Sequence, residues 1–211
     1  MIMNNAGKSV FWVVAATFVL SLSGCKTQMP KPSGFLSDYS RLTEVDDSTW
    51  QYIDAAGLAG CTNFVVAPVK IIVTEYLGTA FPEDQKRRLA ESFGQKITKA
   101  VSAKYHVVSA PSPATGEIRV ALTQIYRVGN ALAMGAEAEI VNSESHKQLA
   151  ELSGVKIGPP ELGVNTNPRT VKDPSDPSHY VEAWWNRPAA DELMDRWAGN
   201  LARIIAAGGK K

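Results

Sequence analysis

The chain has 211 residues, 45% hydrophobic and 20% charged, with 22 Lys+Arg against 21 Asp+Glu. That is enough for one domain with a true core plus tails. The balance excludes a basic field for nucleic acid and an acidic tail, and no internal repeat is present.

The first element in chain order is an apolar run from Val10 to Leu22. Its 13 residues, Thr17 and Ser21 among them, fall short of the ~20 that a spanning helix needs. Lys8 precedes the run and Ser23-Gly24 follow it. Charge, short apolar core and small residues at the cut are the layout of a secretory signal peptide. Leu22-Ser23-Gly24-Cys25 resembles the bacterial lipobox. The resemblance implies cleavage between Gly24 and Cys25, diacylglycerol on the Cys25 sulfur and an N-acyl chain such as palmitate on the new amino terminus. No other cofactor is implied. Each buried CH₂ contributes ~0.8 kcal/mol, so two or three acyl chains make release negligible. Residues 1–24 hold Lys8 and no acid, so 21 positive and 21 negative side chains remain after the cut. Lys26 resembles the sorting signal for export, where Asp would imply retention at the inner membrane. The expected location is the outer membrane of a Gram-negative cell, lipid-anchored and facing the periplasm.

The predicted layout is a signal peptide over 1–24, a lipidated tether over 25–34 and an α+β domain over 35–211. KTQMPKPSG, residues 26–34, is too rich in proline and polar residues to pack. In the next stretch Phe35, Leu36, Tyr39 and Leu42 fall on one side of a short helical turn. It reads as an arm packing back on the domain or as a partner-docking segment. Cys61, alone after the cut, sits among small apolar residues and reads as a buried small hydrophobe rather than a reactive thiol.

Residues 64–73 are β-branched and predict a strand, with Pro68 at an edge or bulge. Pro82, Glu83 and Asp84 open a helix with Leu89, Phe93, Ile97 and Val101 as its buried stripe and Lys86, Arg87 and Lys96 on a solvated face. Residues 106–108 predict a short strand. Residues 117–128, 134–142 and 148–157 alternate and predict an antiparallel meander, with a bulge at Gly154. A proline-rich loop over 159–178 is long for a compact domain. The last helix opens at Pro188 and Asp191-Glu192, buries Leu193, Trp197, Leu201 and Ile205, and stops at Gly208-Gly209. The fold class is α+β: a single domain, the meander plus an N-terminal strand, with two amphipathic helices on one face.

SGFLSDYSRL (33–42), APVKI (67–71), RVALT (119–123) and AEAEIVNSESHKQLAEL (136–152), with the Trp197 helix, resemble a family of bacterial lipoproteins known as domain of unknown function 3313. The family implies no activity. Its members often carry Asp and Thr-Gly in the turn after the EAE strand, where this chain has Asn142 and Ser145-His146. The order of elements also resembles the curli-secretion lipoprotein and a Tol-system domain, an analogy of fold that carries no function.

Little catalytic chemistry is written in the chain. His106, His146 and His179 have no metal-ligand spacing. Glu137 and Glu139 share one strand face roughly 7 Å apart, a spacing open to glycoside hydrolysis, though alternation explains them as a polar outer face. Trp184 and Trp185, with Arg187, are the candidate binding residues, as a stacking platform or as packing under the long loop. The expected role is a non-catalytic, lipid-anchored envelope module meeting a protein or peptidoglycan, with no nucleic-acid partner. The alternatives are a ligand- or glycan-binding or hydrolytic lipoprotein using Trp184-Trp185, and an oligomeric secretion accessory.

Overall fold

A computed structural model describes residues 29, 31–46, 48–73, 75–76, 79–80, 82–128, 131–160 and 188–208. In chain order the elements are β1 (Thr43–Asp46), β2 (Thr49–Ile53), α1 (Ala55–Ala59), β3 (Asn63–Val66), β4 (Lys70–Ile71), β5 (Glu75–Tyr76), β6 (Thr79–Ala80), α2 (Glu83–Ser102), β7 (His106–Val107), β8 (Thr115–Val128), β9 (Ala131–Asn142), β10 (Gln148–Pro160) and α3 (Pro188–Gly208). Eight strands form one sheet in the order β1-β2-β10-β9-β8-β3-β7, with β4 also against β8; β5 and β6 pair separately.

The alternation in β8, β9 and β10 builds the expected meander, in which all neighbours run antiparallel. The sheet is mixed, because β3 runs parallel to both β7 and β8. Pro68 has no amide hydrogen for a ladder, and the predicted strand 64–73 breaks around it into β3 and β4. Bulges fall at Leu122/Gln124, Gln148/Ala150 and Ile157/Pro160. Gly154, expected at a bulge, instead lies where a Cβ would run into the Ser48 carbonyl oxygen. Glycine is there to let the β1–β2 turn approach β10 backbone to backbone.

Both long helices cover the same sheet face. The α2 stripe Leu89, Phe93, Ile97 and Val101 is fully buried. It meets Ile118, Leu122, Met134, Ile140 and Trp197 in one core. Burying each such side chain contributes ~1.5–3 kcal/mol. The Trp197 indole nitrogen donates to the Met134 carbonyl at 3.3 Å, which satisfies the one polar atom it brings inside. Lys96, expected on a solvated face, bridges α2 to α3 through Asp191 (3.0 Å) and Asp195 (2.9 Å).

Candidate functional site

The sheet's second face carries Glu117 and Arg119 from β8, Glu137 and Glu139 from β9, and Glu151 and Ser153 from β10. Register sets Glu139 opposite Arg119 on one side and Glu151 on the other. A strand face with this many charges should be wet. Here Glu137, Glu139 and Glu151 are 2%, 3% and 1% exposed. This corrects the expectation of a polar outer face. A burial this deep needs donors.

The donors come from the chain about a hundred residues earlier. Ser33 donates to Glu137 from its backbone nitrogen (3.2 Å) and its hydroxyl (2.6 Å). Ser37 does the same to Glu139, at 3.2 Å and 2.7 Å. The Asp38 amide donates to Glu151 Oε1 at 3.2 Å, and Gln148 Nε2 donates to the same atom. Residues 33–41 are therefore a strap across the sheet, held by charge-assisted bonds. Ser33, within the 25–34 segment read as a tether, is bonded to the sheet through Glu137.

Tyr39 is the hub of the strap. Its hydroxyl donates to Glu137 Oε2 at 2.6 Å and accepts from the amides of Gly34 (3.0 Å), Phe35 (3.1 Å) and Leu36 (3.3 Å). Gly34 stands at φ 84°, a left-handed conformation that frees the backbone to curl around the phenol. Burial, then the bond to Glu137, raises the Tyr39 pKa, so the phenol keeps its proton and stays a donor. The expected helical turn at 33–42 does not form. Leu36 is buried, but polar groups fix the conformation. Arg41 closes the strap, ion-paired to Asp38 at 3.1 Å and stacked 4.0 Å from the Tyr52 ring centroid.

The electrostatics grade across this face. Glu117 lies below its ordinary value because Arg119 bonds it at 2.7 Å, and Arg119 also reaches Glu139 at 3.3 Å. Burial pushes Glu151 up, with the Asp38 amide and Arg41 pulling it back. Its Oε2 is buried without a hydrogen-bond partner. With Glu137 and Glu139 saturated by strap donors and roofed over, the pair has no room for a sugar. Its chemistry is that of a clasp, and this argues against glycoside hydrolysis by these two groups.

Among the described residues no group of His, Cys, Asp and Glu is placed to hold a metal ion, and no helix is long and apolar enough to cross a membrane. Cys61 is a buried free thiol, and burial raises its pKa. His106 and His146 are both exposed. A groove of about 720 Å³ runs along α2 beside Pro68, lined in part by Val69, Arg87, Glu91 and Lys99. Gly24, Cys25, His179, Trp184, Trp185 and Arg187, and the loop at 161–178, lie outside the described residues. The sequence signal for the clasp was present: Ser33, Ser37 and Tyr39 are three of the four hydroxyls of the decapeptide, and two Glu interrupt an apolar strand.

A family model described as protein of unknown function (DUF3313) matches residues 31–153, from the strap through most of β10. No curated protein matches the chain. Among solved structures, a PelC dodecamer from Paraburkholderia phytofirmans is similar over 72% of this chain and 94% of that one, at 13% identity and TM-score 0.43. The hypothetical protein CT253 from Chlamydia trachomatis is similar over 70% and 99%, at 9% identity and TM-score 0.45. Lipoprotein GNA1162 from Neisseria meningitidis is similar over 59% and 94%, at 14% identity and TM-score 0.32. The likeness is one of general fold and carries no activity.

Proposed function

Because the chain belongs to DUF3313, a family described as protein of unknown function, we propose its role from the strap that ties its leading end to the sheet. The protein is a lipoprotein of the bacterial envelope, cut ahead of Cys25 and acylated there. It is held at the outer membrane facing the periplasm, and it works by contact with an envelope protein or peptidoglycan rather than by catalysis.

The observation that carries this reading is the clasp of Ser33, Ser37 and Tyr39 on Glu137 and Glu139. A segment that only joined a leader to a domain would have no reason to roof over three carboxylates. A leash drawn from a bilayer needs a fixed point of attachment. Hydrogen bonds to charged groups contribute ~1.5–3 kcal/mol each, enough in concert to hold that point. Eight residues lead from Cys25 to Ser33, a reach of about 27 Å when extended. The domain is then kept near the membrane with one face set toward it.

The test is the mass and fractionation of the protein from its native membrane. The expected product begins at Cys25 and carries the diacylglycerol and N-acyl additions, and Cys25→Ser leaves the membrane fraction. A native chain that keeps Met1, or a Cys25→Ser protein that fractionates as before, removes the proposal. Crosslinking in intact cells, read by mass spectrometry, then identifies what the domain touches.

A further inference from the structure

Among the described residues four large apolar side chains are exposed; two of them flank one β9 residue at one end of the strapped face, and a third stands beside β8. Tyr126 (40% exposed) and Ile157 (47%) flank Ala133 as its cross-strand partners on β8 and β10. Ile72 (38%) stands between Ile71, which packs against the core, and the buried Val73, so alternation turns it away from the core. Its amide donates to the Leu122 carbonyl at 2.9 Å, which holds it beside β8. Singly scattered apolar groups need no account, but a grouped set that includes a tyrosine does.

Cations frame this patch. Arg196 of α3 donates to the Ile157 carbonyl at 2.8 Å from an exposed position. Lys70, exposed on β4, holds its ammonium 5.7 Å from the Phe35 ring centroid of the strap, and Lys31 is exposed two residues ahead of Ser33. The strap's direction supplies the rest. It passes from Glu137 to Glu139 and then across to Glu151, moving away from Ala133 as it proceeds. Its lipid-proximal end is therefore the end nearer the patch, about 13 Å along β9 from Ala133 to Glu137.

We propose that this end of the sheet rests on the phospholipid surface itself, with Tyr126, Ile157 and Ile72 in the headgroup zone and Arg196 against lipid phosphate. The inference rests on the lipid anchor of the proposed function and adds the face that meets the bilayer. Tyrosine suits the boundary between apolar and wet surroundings. A lipid anchor combined with a second, surface contact is also what fixes an orientation rather than a mere distance. The short tether and the nearby cations favour lipid over a protein partner or a second copy.

The test uses the full acylated chain in vesicles of phosphatidylethanolamine and phosphatidylglycerol. An environment-sensitive fluorophore is placed on Ile157→Cys and, as control, on Glu144→Cys in the exposed turn at the far end of β9. Cys61 is buried and acylated Cys25 has no free thiol, so labelling is confined to the new site. A quencher carried on the lipid should dim the label at 157 and spare the label at 144, and Arg196→Glu should weaken the quenching at 157. Equal quenching at both sites, none at either, or a crosslink from 157 to a second copy without quenching overturns the inference while leaving the anchor standing. A mass without lipid on Cys25 is a separate reading, and it removes the anchor and this inference together.

Discussion

His146 adopts φ 55°, the single positive φ among the described non-glycine residues. Its amide donates to the Asn142 carbonyl at 2.9 Å, while Asn142 Oδ1 accepts from the amides of Glu144 and Ser145 at 3.2 Å and 2.9 Å. Asn142 therefore shapes the β9–β10 turn, and His146 takes the left-handed position where the family resemblance implies glycine. Replacing it removes a Cβ penalty of about 1 kcal/mol. His146→Gly should gain most of that in urea unfolding, less the added freedom of the unfolded chain, and a loss of stability would contradict this reading of the turn. Glu151 is a second residue whose sign is worked out from its surroundings. Burial raises its folded pKa above the unfolded value, so the ionised group subtracts from stability above that pKa. The penalty fades as pH falls through it, because the folded chain then takes up the proton. Glu151→Gln keeps the acceptor for Asp38 and Gln148 and deletes the charge. It should melt higher than wild type at neutral pH, with the gap closing toward acid; a gap that does not change with pH would assign the effect to packing.

The hairpin of β1 and β2 is tied to the sheet by one edge. β2 pairs with β10 through Gly154, Lys156 holds Asp46 at 3.0 Å and also bonds Thr49, and the Val155 amide donates to the Ser48 carbonyl at 2.9 Å. Gly154→Ala forces a Cβ into that carbonyl, an overpacking that costs typically ~1–3 kcal/mol. The expected result is lower chemical stability with faster amide exchange concentrated in residues 43–53; exchange unchanged there would show that the turn yields at no cost. This hairpin also marks what was hidden in the sequence. The stripes of α2 and α3 and the alternation of β8–β10 were legible because each periodicity reports a single buried face. Pro68 was legible because a missing donor has one consequence in a ladder. β1 was not, since all four of its residues are exposed and no period survives. The five-residue α1 is too short to carry one. Lys96 read as solvated because its partners, Asp191 and Asp195, lie almost a hundred residues away. The strap failed as a helix for the same reason: Phe35, Leu36, Tyr39 and Leu42 suggested a stripe, but carboxylates from β9 and β10 decide its shape.

The whole molecule is then a helix-backed sheet with a detachable roof, and the two parts should open separately. Regions with few apolar contacts open at lower free energy than the core. The strap buries Leu36 but otherwise relies on Ser33, Ser37 and Tyr39, whereas the helix side is closed by Leu89, Phe93, Ile97 and Trp197. Replacing Ser37 by Ala and Tyr39 by Phe removes a donor from each of Glu139 and Glu137 and strips three strap amides of their acceptor. At ~1.5–3 kcal/mol for each of these two bonds to a charged group, the open population should rise at least about a hundredfold. Proteolysis of a transiently opened segment tracks that population when reclosing is fast. Trypsin should therefore cut after Arg41, which is half-buried against Tyr52 in the closed strap, faster by the same factor. Amide exchange in α2 should not change. On the acylated protein proposed above the loss would go further: the leash from Cys25 would lengthen from eight residues, ending at Ser33, to about eighteen, ending at Thr43, with a reach of about 60 Å. A domain on that leash keeps its membrane but loses its set face, so the label at Ile157 should lose its lipid quenching while the protein stays in the vesicle fraction. Cleavage after Arg41 at the wild-type rate, or exchange in α2 accelerating in step with it, would mean that the strap and the core are one cooperative unit.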